Sequence, residues 1–186
     1  MNEQPNTEHP IQQLSTEIVY ESPYMRLRED RIRRLDGSDG LYTYVEKPDF
    51  ALIIAIENDG FHLVEQYRYP VRARSWEFVQ GTFPKMGVGA PELLAREELR
   101  QETGITAGVM RHLGRLHCAK GISSQGFDVF VASDLTHGEA ELEVEEQDLR
   151  HQWVSRTDFE NMVTDGVVTD DSTLAAYTLF LLHQGA

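Results

Sequence analysis

Three glutamates crowd the stretch LLAREELRQETGI, Leu93 to Ile105: Glu97, Glu98 and Glu102. The segment reads as a helix from about Pro91 to Thr103. Pro91 stands where a first turn tolerates a missing N–H, and Gly104 where a left-handed C-cap is needed. On a wheel of about 100° per residue, Leu94, Glu98, Gln101, Glu102 and Ile105 share one side, with Ala95 and Leu99 beside them, while Arg96, Glu97 and Arg100 fall mostly opposite. Glu98 and Glu102 therefore run along the margin of the apolar stripe, one turn apart. Like charges at that spacing destabilise a helix by roughly a few tenths of a kcal/mol. Carboxylates facing a half-buried cleft are suitable oxygen ligands for Mg2+ or Mn2+, which relieves their repulsion and bridges to a substrate phosphate. The competing reading is a solvated acidic helix with an i,i+4 pair between Glu92 and Arg96. A second acidic run, GEAELEVEEQDL from Gly138, offers further carboxylates.

Charge and composition bear on the choice. The formal net charge of -14 gives no basic surface for a phosphate backbone, which disfavours a nucleic acid polymer as partner, and none is expected. A small anionic substrate would also be repelled unless arginines or bound cations reversed the field locally. Cys118 is the only cysteine, which rules out an internal disulfide framework and a Cys-rich metal site. The N-terminal residues lack the pattern of a signal peptide, and no apolar run approaches the roughly 18 residues of a membrane span. The expectation is a cytoplasmic protein with no membrane association.

The elements that must position these acids follow from the pattern. At 186 residues the chain suits one domain, with or without a small appendage. Residues 1–14, polar with two prolines, read as a flexible arm. Residues 15–47 contain TEIVYES, MRLREDRIRR and LYTYVEK, three short strands forming an antiparallel meander. From 48 to 186 lies the main domain. FALIIAIEN and FHLVEQYRYP, joined at NDG, form a core hairpin. SWEFVQG is a short strand before the acidic helix, and GVMRHLGRLH and FDVFVASDL are two strands after it. RHQWVS is a last strand, followed by helices at RTDFENMVTDG and DSTLAAYTLFLLHQ. The order implies an α/β sandwich with a mixed sheet.

With the helix and its surroundings in place, the chain resembles the Nudix hydrolases. EELRQETGI aligns with the second half of the family signature, and Glu98 and Glu102 match its two central metal-binding glutamates. Glu97 stands where the family has arginine, Gln101 where it has a further glutamate, and Gly89 where it has the earlier one. The loop from Gly81 is two residues longer than the family pattern. The likeness extends over about residues 15–184 to the ADP-ribose pyrophosphatase branch, through VEQYRYPVRARSWEFVQG and the closing section from the acidic loop onward.

The resemblance implies a Nudix-type α/β/α sandwich and a mechanism. Glu98 and Glu102, with Gln101 through its side-chain oxygen and Gln80 through its backbone carbonyl, would hold Mg2+ or Mn2+. Arg68 would contact substrate phosphate, against the alternative of an ion pair with Glu65 or Glu77. Glu77 would sit at the substrate cleft, and Ser123, Ser124 and Gln125 of KGISSQG would be polar contacts. Glu145 or Glu146 would supply the loop carboxylate that activates water, Gln147 occupying a position that is often acidic. Trp76 would pack in the core or beneath the cleft. The meander would form part of a homodimer and lend Tyr44 or Glu46 to the partner's cleft. The implied activity is cleavage of a nucleotide-sugar diphosphate, such as ADP-ribose, into two phosphomonoesters. The departures motivate an alternative: a Nudix-fold nucleotide-sugar binding protein with weak catalysis.

Overall fold

The computed structural model describes residues 9–83, 86, 87 and 89–184, with the side chain of Glu145 outside that description. Strands β1 (Ile11–Glu21), β2 (Arg26–Arg34) and β3 (Asp39–Glu46) form an antiparallel sheet in chain order. The meander begins earlier than expected: Ile11, Gln12 and Gln13 pair with Arg34, Arg33 and Ile32. β2 runs to Arg34, and its groups facing β1 at that end are paired by Ile11–Gln13, so the strand begins within the stretch read as an arm.

The central sheet holds seven strands. Its path is β10 (Arg150–Ser155), β5 (Gly60–Arg68), β4 (Phe50–Glu57), β9 (Gly126–Thr136) and β8 (Thr106–His117), with β6 (Ala73–Glu77) on β5 and β7 (Val79–Thr82) on β4. Only β4 and β9 run parallel, which makes the sheet mixed. Asn58 and Asp59 both take positive φ, 49° and 55°, and close the β4–β5 hairpin with the twist that a two-residue loop requires. SWEFVQG, expected as one strand, is two. The neighbours β4 and β5 pair directly only from Ala55 to Glu57, so beyond that the chain crosses between them, pairing first with β5 and then with β4. The crossing residue Phe78 is fully buried, and its N–H, lost to the ladder, donates to Thr173 Oγ1 at 3.0 Å.

Side chains alternate along β4 and so feed two cores. Ala51, Ile53 and Ala55 meet Leu94, Ala95 and Leu99 of α1 (Pro91–Thr103). Leu52 and Ile54 face α2 (Arg156–Thr164) and α3 (Asp171–Gln184), where Phe61 contacts Phe78, Phe159, Tyr177 and Phe180 edge to face. The result is the α/β/α sandwich with its small N-terminal sheet. Backbone bonds from Val45 to Ile122 and from Ser124 to Val45, at 2.8 and 3.0 Å, tie that sheet to the loop before β9. Among the described residues no helix is long and apolar enough to cross a membrane.

Candidate active site

Helix α1 has the limits its sequence implies, with Pro91 in the first turn and Gly104 left-handed at φ 73°, its N–H donating to Arg100 O at 2.9 Å. Its outward face is laced by Arg96–Glu92 and Arg100–Glu97 pairs, each at 2.9 Å. Gln101 belongs to this flank, where its amide donates to Glu97 Oε1 at 3.1 Å. The inward margin carries Glu98, half-buried, and Glu102, only 3% exposed.

A third carboxylate reaches them from the loop between β9 and β10. One oxygen each of Glu98, Glu102 and Glu146 lies within 4.8 Å of the others. Glu146 ends a single 3-10 turn, Val144–Glu146, fixed by a reciprocal capping box with Glu143. The loop is docked on the last turn of α1, since Glu141 N donates to Gln101 O at 2.8 Å and Glu141 pairs with Arg100 at 3.0 Å. Sequence reading missed Glu143; its signal is the E-x-x-E spacing of the capping box. The backbone of Glu145 lies in the same turn, but its side chain is outside the described residues.

Crowding of these acids raises their proton affinity. Burial, then the charges of Glu146, Glu143 and Glu97, push the Glu98 carboxyl up to about 7. Burial and the charges of Glu146 and Glu98 push Glu102 well above the usual carboxylate range, against a smaller opposing pull from Arg68. Glu102 Oε2 is buried without a hydrogen-bond partner among the described residues. Gly81 of β7 makes the approach of Glu98 possible, because a Cβ there would fall within the Glu98 carboxyl group.

Behind the acids sits a buried ion pair. Glu77, 1% exposed, receives both Nε and Nη2 of Arg68, the Nε contact at 2.8 Å, and also the Gln80 amide at 2.6 Å. The bidentate pair fixes the guanidinium plane. Arg68 thus pairs with Glu77 rather than Glu65, and its guanidinium still borders a cavity of about 350 Å³ shared with Gln80, Gly81, Lys47 and Phe50. An adjoining cavity of about 380 Å³, also lined by Lys47 and Phe50, contains Glu46 and Ser124. Glu46 accepts from Arg28 Nε at 2.5 Å. Trp76 is partly buried against the core.

Comparison with known proteins bears on what this arrangement is. The NUDIX domain model matches residues 46–177. The chain belongs to the Nudix family. A second model, described as the nucleoside diphosphate sugar hydrolase N-terminal domain, matches residues 11–45, the three-stranded sheet. Among relatives of this Nudix hydrolase, an ADP-ribose pyrophosphatase of Mycobacterium tuberculosis is 29% identical over 170 residues, 90% of this chain and 82% of that protein. An ADP-ribose pyrophosphatase of Bacillus subtilis is 24% identical over 136 residues, 73% of this chain and 72% of that one. A methanol dehydrogenase activator of Bacillus methanolicus is 27% identical over 127 residues, 68% of each chain. A solved structure titled as an ADP compounds hydrolase has the same fold, with a TM-score of 0.79 at 21% identity over 95% of this chain and 94% of that one.

Proposed function

We propose that this Nudix hydrolase is a divalent-metal-dependent pyrophosphohydrolase that splits the diphosphate of a nucleotide sugar into two phosphomonoesters, with ADP-ribose the first substrate to test. The observation that carries the reading is the convergence of Glu98, Glu102 and Glu146, together with a buried Glu102 Oε2 that has no hydrogen-bond partner among the described residues. A buried carboxylate oxygen without a partner costs on the order of 1–3 kcal/mol, and a hard cation would satisfy it. The three glutamates would hold Mg2+ or Mn2+, with the Gln80 carbonyl as a further oxygen donor, whereas Gln101, turned to Glu97 on the outward flank, is left out of the ligand set. The bound ion would neutralise the diphosphate and make its phosphorus a better electrophile.

The chain's own groups supply the rest. Arg68, oriented by Glu77, offers its free edge to a substrate phosphate in the cavity beside Gly81. Glu145 or Glu146 accepts the proton of the attacking water as its oxygen bonds to phosphorus and the bridging P–O bond breaks. Ser124 and Glu46 line the space left for the rest of the substrate. The N-terminal match and the names of two relatives favour a nucleotide sugar over other diphosphates. The N-terminal sheet would also form a homodimer, with Tyr44 or Glu46 contributing to the partner's cleft.

Purified protein incubated with ADP-ribose, GDP-mannose, NADH and diadenosine polyphosphates, with Mg2+ or Mn2+, tests the reading. Phosphomonoesters should form from a nucleotide sugar, and Glu98→Gln should abolish the reaction. Turnover surviving in Glu98→Gln would overturn the site; tight binding with no product from any substrate would leave the binding-protein reading.

A further inference from the structure

A second group of metal-ligating side chains lies away from the three glutamates, on the same face of the sheet. Glu57 closes the β4–β5 hairpin, His62 lies on β5, and His137 directly follows β9. One ligand atom of each lies within 4.8 Å of the others. His137 Nε2 is 3.2 Å from both Glu57 oxygens, and His62 Nε2 is 3.5 Å from Glu57 Oε2. Tetrahedral bonds of about 2.0–2.1 Å separate ligand atoms by about 3.3 Å, so the two measured edges already have the spacing of a zinc-type site. Ala51, which faces Gly81 beneath Glu98, is six residues from Glu57, about 20 Å along the strand.

His62 gives the second, independent indication. It is 2% exposed, and its buried Nε2 has no hydrogen-bond partner among the described residues. Its other nitrogen, Nδ1, is 2.9 Å from His151 Nε2 on β10. If Nδ1 carries the proton and donates to His151, the Nε2 lone pair points at Glu57 and His137. That is the usual arrangement of a metal-bound imidazole oriented through its far nitrogen. Burial holds both rings below the ordinary imidazole range, His151 at about 4. The backbone around the group is fixed: Trp153 Nε1 donates to Glu57 O at 2.9 Å. The exposed His137 leaves a route of entry.

We propose that Glu57, His62 and His137 form a binding site for a transition metal of the Zn2+ class, with His151 as positioning residue, and that the bound ion clamps the stem of the loop carrying Glu146. The donor set, two imidazoles and one carboxylate, selects Zn2+ over Mg2+, which prefers oxygen ligands. Placement supports the clamp. His137 stands at one root of the 138–149 loop and His151 two residues beyond the other, so the ion would tie β4, β5 and β9 together where the loop leaves and returns.

The test is titration of chelator-treated full-length protein with Zn2+ in excess Mg2+, by calorimetry, with Co2+ absorption to report tetrahedral nitrogen and oxygen coordination. Wild type should bind one equivalent. His137→Ala and Glu57→Gln, both at accessible positions, should weaken it at least about tenfold, whereas Glu98→Gln should leave it within a factor of about two. Zn2+ should also slow backbone hydrogen exchange over 138–149 in wild type and not in His137→Ala. Zn2+ affinity unchanged in His137→Ala, or lost in Glu98→Gln and kept in His137→Ala, would overturn the site. Tight binding without slowed exchange would overturn the clamp. Neither result depends on catalytic turnover, so the outcome is separable from the proposed diphosphate hydrolysis.

Discussion

Glu98 carries the chemistry of the site in its proton affinity. Held up to about 7, its carboxyl is largely protonated in slightly acidic solution, whereas a cation requires the ionised form. With Mg2+ kept limiting, turnover should therefore rise with pH through about 7, and saturating metal should shift that midpoint to lower pH. Stability follows the opposite sign. A carboxyl raised in the folded state adds stability that is present below its unfolded value of about 4.3 and lost as pH climbs through its folded one. In metal-free protein, the melting temperature of Glu98→Gln should exceed that of wild type by a margin that grows from pH 5 to pH 8, and Mg2+ should narrow it; a constant margin would rule out the raised affinity. Glu146→Gln, which removes the loop carboxylate, should lower kcat on the order of a hundredfold. Gln101→Ala should change kcat/KM by no more than about threefold, because the amide is already engaged by Glu97 on the outward flank.

At the scale of elements, the site is a contact between three backbones. β7 passes so close to α1 that a Cβ at position 81 would overlap the Glu98 carboxyl, and Gly81→Ala should displace that carboxyl and reduce activity as severely as Glu98→Gln while leaving a folded protein. At the other end of the helix, the left-handed Gly104 lies against the carbonyl of Gly138, the first residue of the acidic loop. Gly104→Ala should cost at least about 1 kcal/mol from its positive φ, read as a fall of roughly 3 °C or more in melting temperature, and should raise the metal concentration needed for half-maximal rate because the loop loses its seat. The helix C-cap is thus both a stop signal and a docking point for Glu146.

At the scale of the molecule, little among the described residues covers the N-terminal sheet. All eleven residues of β1 are exposed, Ile18, Val19 and Tyr20 among them, and Leu41 of β3 is 57% exposed. A sheet face rich in exposed apolar side chains fits an interaction surface, and a second copy through this sheet is the partner proposed above. Light scattering should give twice the 21.2 kDa of the chain, and Val19→Arg with Tyr20→Arg should shift it to monomer. A monomeric wild type would remove the dimer and the sharing of Tyr44 or Glu46 with it.

What the sequence determined by itself was local. The limits of α1, its caps, and the placing of Glu98 and Glu102 along one margin follow from a 3.6-residue period and two punctuating residues, all within 15 positions. The strands on either side were legible for the same reason, as alternation and turn residues act over a few neighbours. Tertiary structure alone decided the rest. That Glu146 turns inward, that Arg68 takes Glu77, and that the chain changes partner at Phe78 depend on which strands pair. His62 and His151 stand 89 positions apart and meet only because β5 and β10 are neighbours in register. Chain pattern encodes periodicity, whereas a site of converging side chains is fixed by strand order and register, which are set by burial across the whole sheet.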